Sequence, residues 1–219
     1  MTVETKKVRQ HGRLTQSDIL DKAEVLFARE GVARVSLREI NKACGISQGV
    51  IHYHFGGRDG LIKALLERRF PALTRRRQQL VQSLLIDNPK LAIGDVLEVL
   101  GRPLAELSIE GGKAGNRFVQ VLVQLHQERN PVYSQIAAQQ MGTLGVHLLD
   151  QMYKILPHLA KNQVEYRLQM AHSALFIGLT QLHDAPYPWQ QGLMDKPLSP
   201  EQRMDDLIAM LAAGFETES

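Results

Sequence analysis

Apolar residues recur at helical spacing along nearly the whole chain, and no stretch alternates convincingly in the manner of a strand. Ile19, Ala23, Leu26 and Phe27 lie on one side of an amphipathic helix predicted over 17–30, with Thr15 or Ser17 as its cap and Gly31 as its stop. Ser36 followed by Glu39 forms a capping box, after which Leu37, Ile40, Ala43 and Cys44 keep helical spacing as far as Gly45. Ser47 caps a third, short helix that Gly56 and Gly57 end. In it Ile51 and Phe55, one helical turn apart, share a face, so Gln48, Val50, His52 and Tyr53 point elsewhere.

A long helix is predicted from Arg58 to about Ile86, with Pro71 expected to kink it. Further helices are predicted near 89–106, 115–128, 131–155 and 161–183, divided by glycine or proline signals in "EGGKAG", "NP" and "LPHLAKN". Val164, Leu168, Ala171, Leu175, Gly178 and Leu182 follow the seam spacing of packed helices, which suits either a subunit interface or an internal core face. "HDAPYPWQQGLMDKPLSP" is a long loop. After it Ser199, Pro200 and Gln202 open a last helix with Met204, Leu207, Ile208 and Leu211 as its apolar stripe. The fold class is therefore all-α.

A chain of 219 residues that is 44% hydrophobic can build a proper core as one domain or two. Its single cysteine, Cys44, excludes an intramolecular disulfide, and the start "MTVETKKVRQHGR" lacks the apolar run of a signal peptide. No stretch is apolar enough to span a membrane, so a cytoplasmic protein without a membrane partner is expected. The net charge of +3 hides an asymmetry. Residues 1–79 hold 16 Lys+Arg against 8 Asp+Glu, and the remainder holds 10 against 15. A basic end attracts polyanions, which makes nucleic acid its natural partner. Arg68, Arg69 and Arg75 to Arg77 supply much of that excess and are equally compatible with a solvated helix face.

Two short helices joined by a glycine-containing turn, "GIS", form a helix-turn-helix, whose second helix enters the major groove with its N-terminal residues at the base edges. The face left by Ile51 and Phe55 then reads as candidate contacts. Gln48 suits adenine, Gly49 lets the backbone come close, Val50 suits a thymine methyl, and His52, Tyr53 and His54 reach bases or phosphates. Arg58 is a further candidate phosphate contact. A helical protein-interaction module without specific DNA binding uses the same hairpin and stands as the alternative.

Other chemistries are poorly supported. "EGGKAGN" lacks the glycine and the Ser/Thr of a phosphate loop. The eight histidines contain no His-Glu-x-x-His, and His52 and His54 face apart on a helix, so no metal site is predicted. No nucleophile elbow or carboxylate constellation suggests an enzyme, and no cofactor is implied. His126, His147, His172 and His183 read as polar or half-buried residues, one of which could tune a ligand site. Phe118, Leu122, Met141 and Phe176 suit a core or the lining of an apolar pocket.

"SLREINKACGISQGVIHYHFGGRDGLIKAL", together with the preceding "DILDKAEVLFAREG", resembles the DNA-binding signature of the tetracycline-repressor (TetR) family over about residues 15–66. On that resemblance Ser36 takes the phosphate-contacting cap of the second helix, and Ala43, Gly45, Ile46 and Ser47 form the turn. Tyr53, His54 and Phe55 end the recognition helix, and Arg58 takes the place of the usual lysine. Cys44, between Ala43 and Gly45, and His52, where a tyrosine is usual, depart from the pattern.

The resemblance implies a DNA-binding domain over 1–57, with a basic N-terminal arm, and an effector-binding and dimerisation domain over 58–219. It implies a regulator, most often a repressor, that binds a palindromic operator as a homodimer or a pair of dimers. Self-association would use 161–183 and 200–213, and a small apolar effector would bind near Phe118, Leu122, Met141, His172 and Phe176. The run "ERRFPALTRRRQQLVQ" and the end of the recognition helix resemble a fatty-acid-responsive branch, which suggests an acyl chain or acyl-CoA.

Overall fold

A computed structural model describes residues 15–87, 90–185 and 197–216, so the expected basic arm and most of the proline-containing loop lie outside the described residues. Among those described, the order is α1 (Gln16–Glu30), α2 (Leu37–Cys44), α3 (Gln48–Phe55), α4 (Arg58–Asp87), α5 (Ile93–Glu110), α6 (Gly112–Gln127), α7 (Pro131–Ile155), α8 (Lys161–Gln181) and α9 (Pro200–Phe215), with no strand.

Local chemistry sets most of the boundaries. Thr15, rather than Ser17, caps α1: its hydroxyl accepts from the Asp18 N–H at 3.2 Å, and the Asp18 carboxylate accepts from the Thr15 N–H at 2.8 Å. The expected boxes at Ser36 with Glu39 and at Ser199 with Gln202 both form, and Pro200 opens α9. α5 begins at Ile93, where Asp95 reaches back to the Ala92 N–H at 2.7 Å, later than the expected 89. Lys113 and Ala114 are helical, so the break in "EGGKAG" shrinks to its glycine pair.

α4 continues through the exposed Pro71 as a single helix of 30 residues, about 45 Å long. The long helix with a described kink is α7, at Gly142, whose φ of 38° and ψ of −125° suit glycine. α1 to α3 form a head, and α4 runs from it into a body in which α5 packs against α4, α6, α7, α8 and α9. One continuous apolar core extends from Ile19, Phe27, Ile40 and Ile51 through Leu61 and Leu65 to Leu104, Phe118 and Leu122.

The seam on α8 is internal. Val164, Ala171, Leu175 and Leu182 are buried within this one chain, and a β-carbon placed on Gly178 would lie 2.3 Å from Cδ2 of Leu207 on α9. The small residues there serve the approach of α8 to α9. Tyr166, Met170 and Ile177 occupy other positions of α8 and are exposed, as is Met210 on α9.

Candidate nucleic-acid interface and ligand cavity

α2 ends on Gly45 in the left-handed conformation (φ 69°, ψ 31°), and the Ile46 N–H donates to the Asn41 carbonyl at 3.0 Å. This tight reversal delivers Ser47 as the first residue of the next cap, so α3 leaves α2 with Ile51 fully buried and Phe55 packed on the core. The opposite face is open. Ser47, Gln48, Gly49, His52, Tyr53 and His54 are exposed and Val50 is half-buried. The Ser47 hydroxyl makes no capping bond. Tyr53 is 85% exposed, an aromatic surface that the chain's own fold does not cover.

A β-carbon on Gly49 would touch nothing within 4 Å, so packing within the chain does not demand glycine there. Inside a helix glycine costs up to about 1 kcal/mol relative to alanine, and the open backbone it leaves suits close approach of a duplex. His54 is tied down by Gln16, whose Nε2 lies 3.3 Å from its Nδ1, which fastens the end of α3 to the start of α1. Ser36 is exposed, with its hydroxyl engaged by Glu39 at 2.8 Å.

Arg58, expected at a phosphate, turns inward. Its guanidinium donates to the carbonyls of Val32 and Val35 and stands 5.6 Å from the centre of the Phe27 ring. It therefore joins the loop between α1 and α2 to the first turn of α4. Several other arginines of the basic end are also engaged inside the molecule. Arg68 bonds Asp21 at 2.6 Å and the buried Glu24 at 2.9 Å, Arg69 lies 3.5 Å from Glu24, and Arg76 grips Glu106 at 2.6 Å. These arginines bind α4 to α1 and α5, so the charge count overstates the field offered to a polyanion. From the other side, α6 holds the same loop: Gln124 accepts from the Val32 N–H at 2.8 Å and Glu128 from the Ala33 N–H at 3.1 Å.

Between α4, α5, α6, α7 and α8 lies a cavity of about 240 Å3. α4 contributes Phe70 and Arg77, and α6 contributes Leu122 and His126. Tyr133 and Met141 of α7 and His172 and Phe176 of α8 close it. The rings form a box, with centres 4.5 Å apart for His126 and Phe176, 4.6 Å for His172 and Phe176, 5.0 Å for His126 and His172, and 6.0 Å for His126 and Tyr133. Of the five residues expected near a ligand, Leu122, Met141, His172 and Phe176 are in this wall. Phe118 is not: it is fully buried core, beneath the Arg69 guanidinium at 5.6 Å.

Burial governs the titration of the box. The His172 pKa is pushed down to about 4 by desolvation first, then by His126 and by Arg77. Desolvation also lowers that of His126, and it raises the Tyr133 hydroxyl to about 12. Both imidazoles are consequently neutral near pH 7. Arg77, compatible by sequence with a solvated helix face, is buried in this wall, and nothing in the sequence marks it or Tyr133 as a cavity residue. One sat in a run of three arginines, and the other carried no signal beyond being an aromatic residue in a helix.

Residues 19–65 match the family described as bacterial regulatory proteins, tetR family, and residues 98–214 match that described as tetracyclin repressor-like, C-terminal domain. The HTH-type transcriptional regulator AcrR of Shigella flexneri is 39% identical over 62 residues, a segment that is 28% of this chain and only 29% of that protein. The ketosteroid transcriptional regulator KstR2 of Mycobacterium tuberculosis shares the fold, with a TM-score of 0.57 and 21% identity over 93% of this chain and 95% of that one. So does the fatty acid degradation regulator FadR of Bacillus halodurans, with a TM-score of 0.54 and 14% identity over 93% and 97% of the two chains. With its reading head and most of its helical body both matched, this chain belongs to the tetR family of bacterial regulatory proteins.

Proposed function

We propose that this regulator binds a palindromic operator as a homodimer and that a small apolar ligand in the α4–α8 cavity weakens that binding. The exposed outer face of α3 carries the reading: Gln48, Gly49 and Tyr53 are set toward solvent by a helix whose inner face is buried. Gln48 and Val50 are assigned to base edges, and Ser36, Ser47, His52, Tyr53 and His54 to bases or phosphates. The exposed apolar stripe of Tyr166, Met170 and Ile177 with Met210 supports a dimer through α8 and α9. The volume of the cavity supports a ligand smaller than the fatty acyl-CoA suggested by the sequence resemblance.

The test is selection of DNA from a random pool by the purified full chain, followed by titration at several salt concentrations. The expected product is a two-fold symmetric site with half-sites about 34 to 36 Å apart, bound less tightly as salt rises. Gln48→Ala should relax discrimination at one base position by about 1 to 3 kcal/mol. Recovery of no preferred sequence would favour the protein-interaction reading instead.

A further inference from the structure

Arg77 is 7% exposed, yet it faces no carboxylate. Among the described residues it forms no ion pair, its Nε has no hydrogen-bond partner, and the groups that feel its charge are the Tyr133 phenol and the His172 imidazole. A guanidinium stays protonated in proteins, so the wall of the cavity carries a buried, uncompensated positive charge. Such a charge is strongly unfavourable unless something pairs with it. The two imidazoles beside it are neutral near pH 7, and Tyr133 is a phenol, so nothing in the box supplies the missing negative charge.

The rest of the wall is mostly apolar, with leucines, alanines and Met141 beside five rings. A ring of Phe70, Tyr133, His126, His172 and Phe176 would by itself suit a flat ligand or a cation held by ring faces. Arg77 decides between those two, because its charge repels a cation and attracts an anion. Size sets a lower bound. An apolar cavity of about 150 Å3 accommodates benzene, so about 240 Å3 holds a ligand of roughly ten non-hydrogen atoms, and a neighbouring pocket that shares Leu100, Met141 and His172 adjoins it.

We infer that the cavity is an anion site for a compact apolar carboxylic acid, its carboxylate paired with the Arg77 guanidinium and its body lying between the rings of α4, α6, α7 and α8. This rests on the reading of the cavity as the effector site and names the chemical class of that effector. Arg77 lies on α4, the helix that begins at the reading head, so the acid would pull on the element that Arg58 joins to the loop between α1 and α2.

Calorimetric titration of the full chain with 3-phenylpropanoate, 3-phenylpropanamide and 3-phenylpropylamine tests the charge requirement on one skeleton. The acid should bind on the order of 10- to 100-fold more tightly than the amide, the range for hydrogen bonds to a charged group, and the amine should bind worst. Arg77→Met should abolish the preference for the acid while raising the melting temperature of the ligand-free protein, and Arg77→Lys should retain some of the preference. Equal binding of acid and amide, tighter binding of the amine, or no binding of the acid up to its solubility limit would overturn the proposal. Operator affinity measured alongside separates the two readings. An acid that binds through Arg77 without changing DNA affinity leaves the anion site standing and removes the effector role. Release of operator by the amide does the reverse.

Discussion

Arg58 follows the recognition helix by three residues, and its orientation changes what its loss should do. A guanidinium at a phosphate would add about one unit to the salt dependence of DNA binding. In the structure it bonds the carbonyls of Val32 and Val35, which are backbone groups of the loop that positions α2. Arg58→Ala is therefore expected to lower the melting temperature, since it removes charge-assisted bonds worth about 1.5 to 3 kcal/mol each, and to leave the slope of log affinity against log salt unchanged. A slope smaller by one unit with unaltered stability would return Arg58 to the phosphate backbone. Local sequence places Arg58 at the start of α4, but the direction of a long flexible side chain depends on the carbonyls that the fold brings near. The same reason hid Arg77: neighbouring residues on a helix point about 100° apart, so one of Arg75, Arg76 and Arg77 turns into the body while the letters look alike.

At the scale of elements, α8 carries two apolar stripes, one for its own chain and one left outside, and α9 adds the exposed Met210 beside its own buried stripe. Ala171 and Gly178 belong to the inner stripe, so a glutamate at either position is expected to unfold the body rather than merely to separate a pair of subunits. The outer stripe is the place to test association, with Tyr166 62% and Met210 63% exposed. The double variant Ile177→Glu, Met210→Glu should remain folded by circular dichroism, sediment as a monomer and lose most of its operator affinity. An intact dimer would place the interface elsewhere. Which stripe is which is invisible in sequence, because both have helical spacing and both are apolar. The caps of α2 and α9, the turn at Gly45 and the span of α7 were legible, since each follows from residues within a few positions. The break in α7 was not legible, because Gly142 is one glycine among several in helical segments and nothing in its neighbours marks it for φ 38° and ψ −125°.

Across the whole molecule, the cavity and the reading head meet in α6. Leu122 and His126 belong to the cavity wall, while Gln124 and Glu128, on the same two turns, accept the Val32 and Ala33 N–H groups. A ligand that displaces α6 must therefore strain or break those bonds, and its influence on DNA is limited by its unequal affinity for the two arrangements. Coupling of this kind typically changes affinity about 5- to 150-fold. Gln124→Ala with Glu128→Ala is expected to preserve ligand binding and to shrink that factor, measured as the ratio of operator affinities with and without ligand. An unchanged ratio would assign the whole transmission to α4. The few fastenings also define what a transplant must carry. If the contacts proposed for α3 hold, a designer who moves the segment from Thr15 to Phe55 onto another helical body should take the base contacts of Gln48 and Val50 with it. The graft would answer to its new ligand only if the host supplies an amide and a carboxylate in the places of Gln124 and Glu128, an arginine in that of Arg58, and bases for Asp21 and Glu24 like those of Arg68 and Arg69.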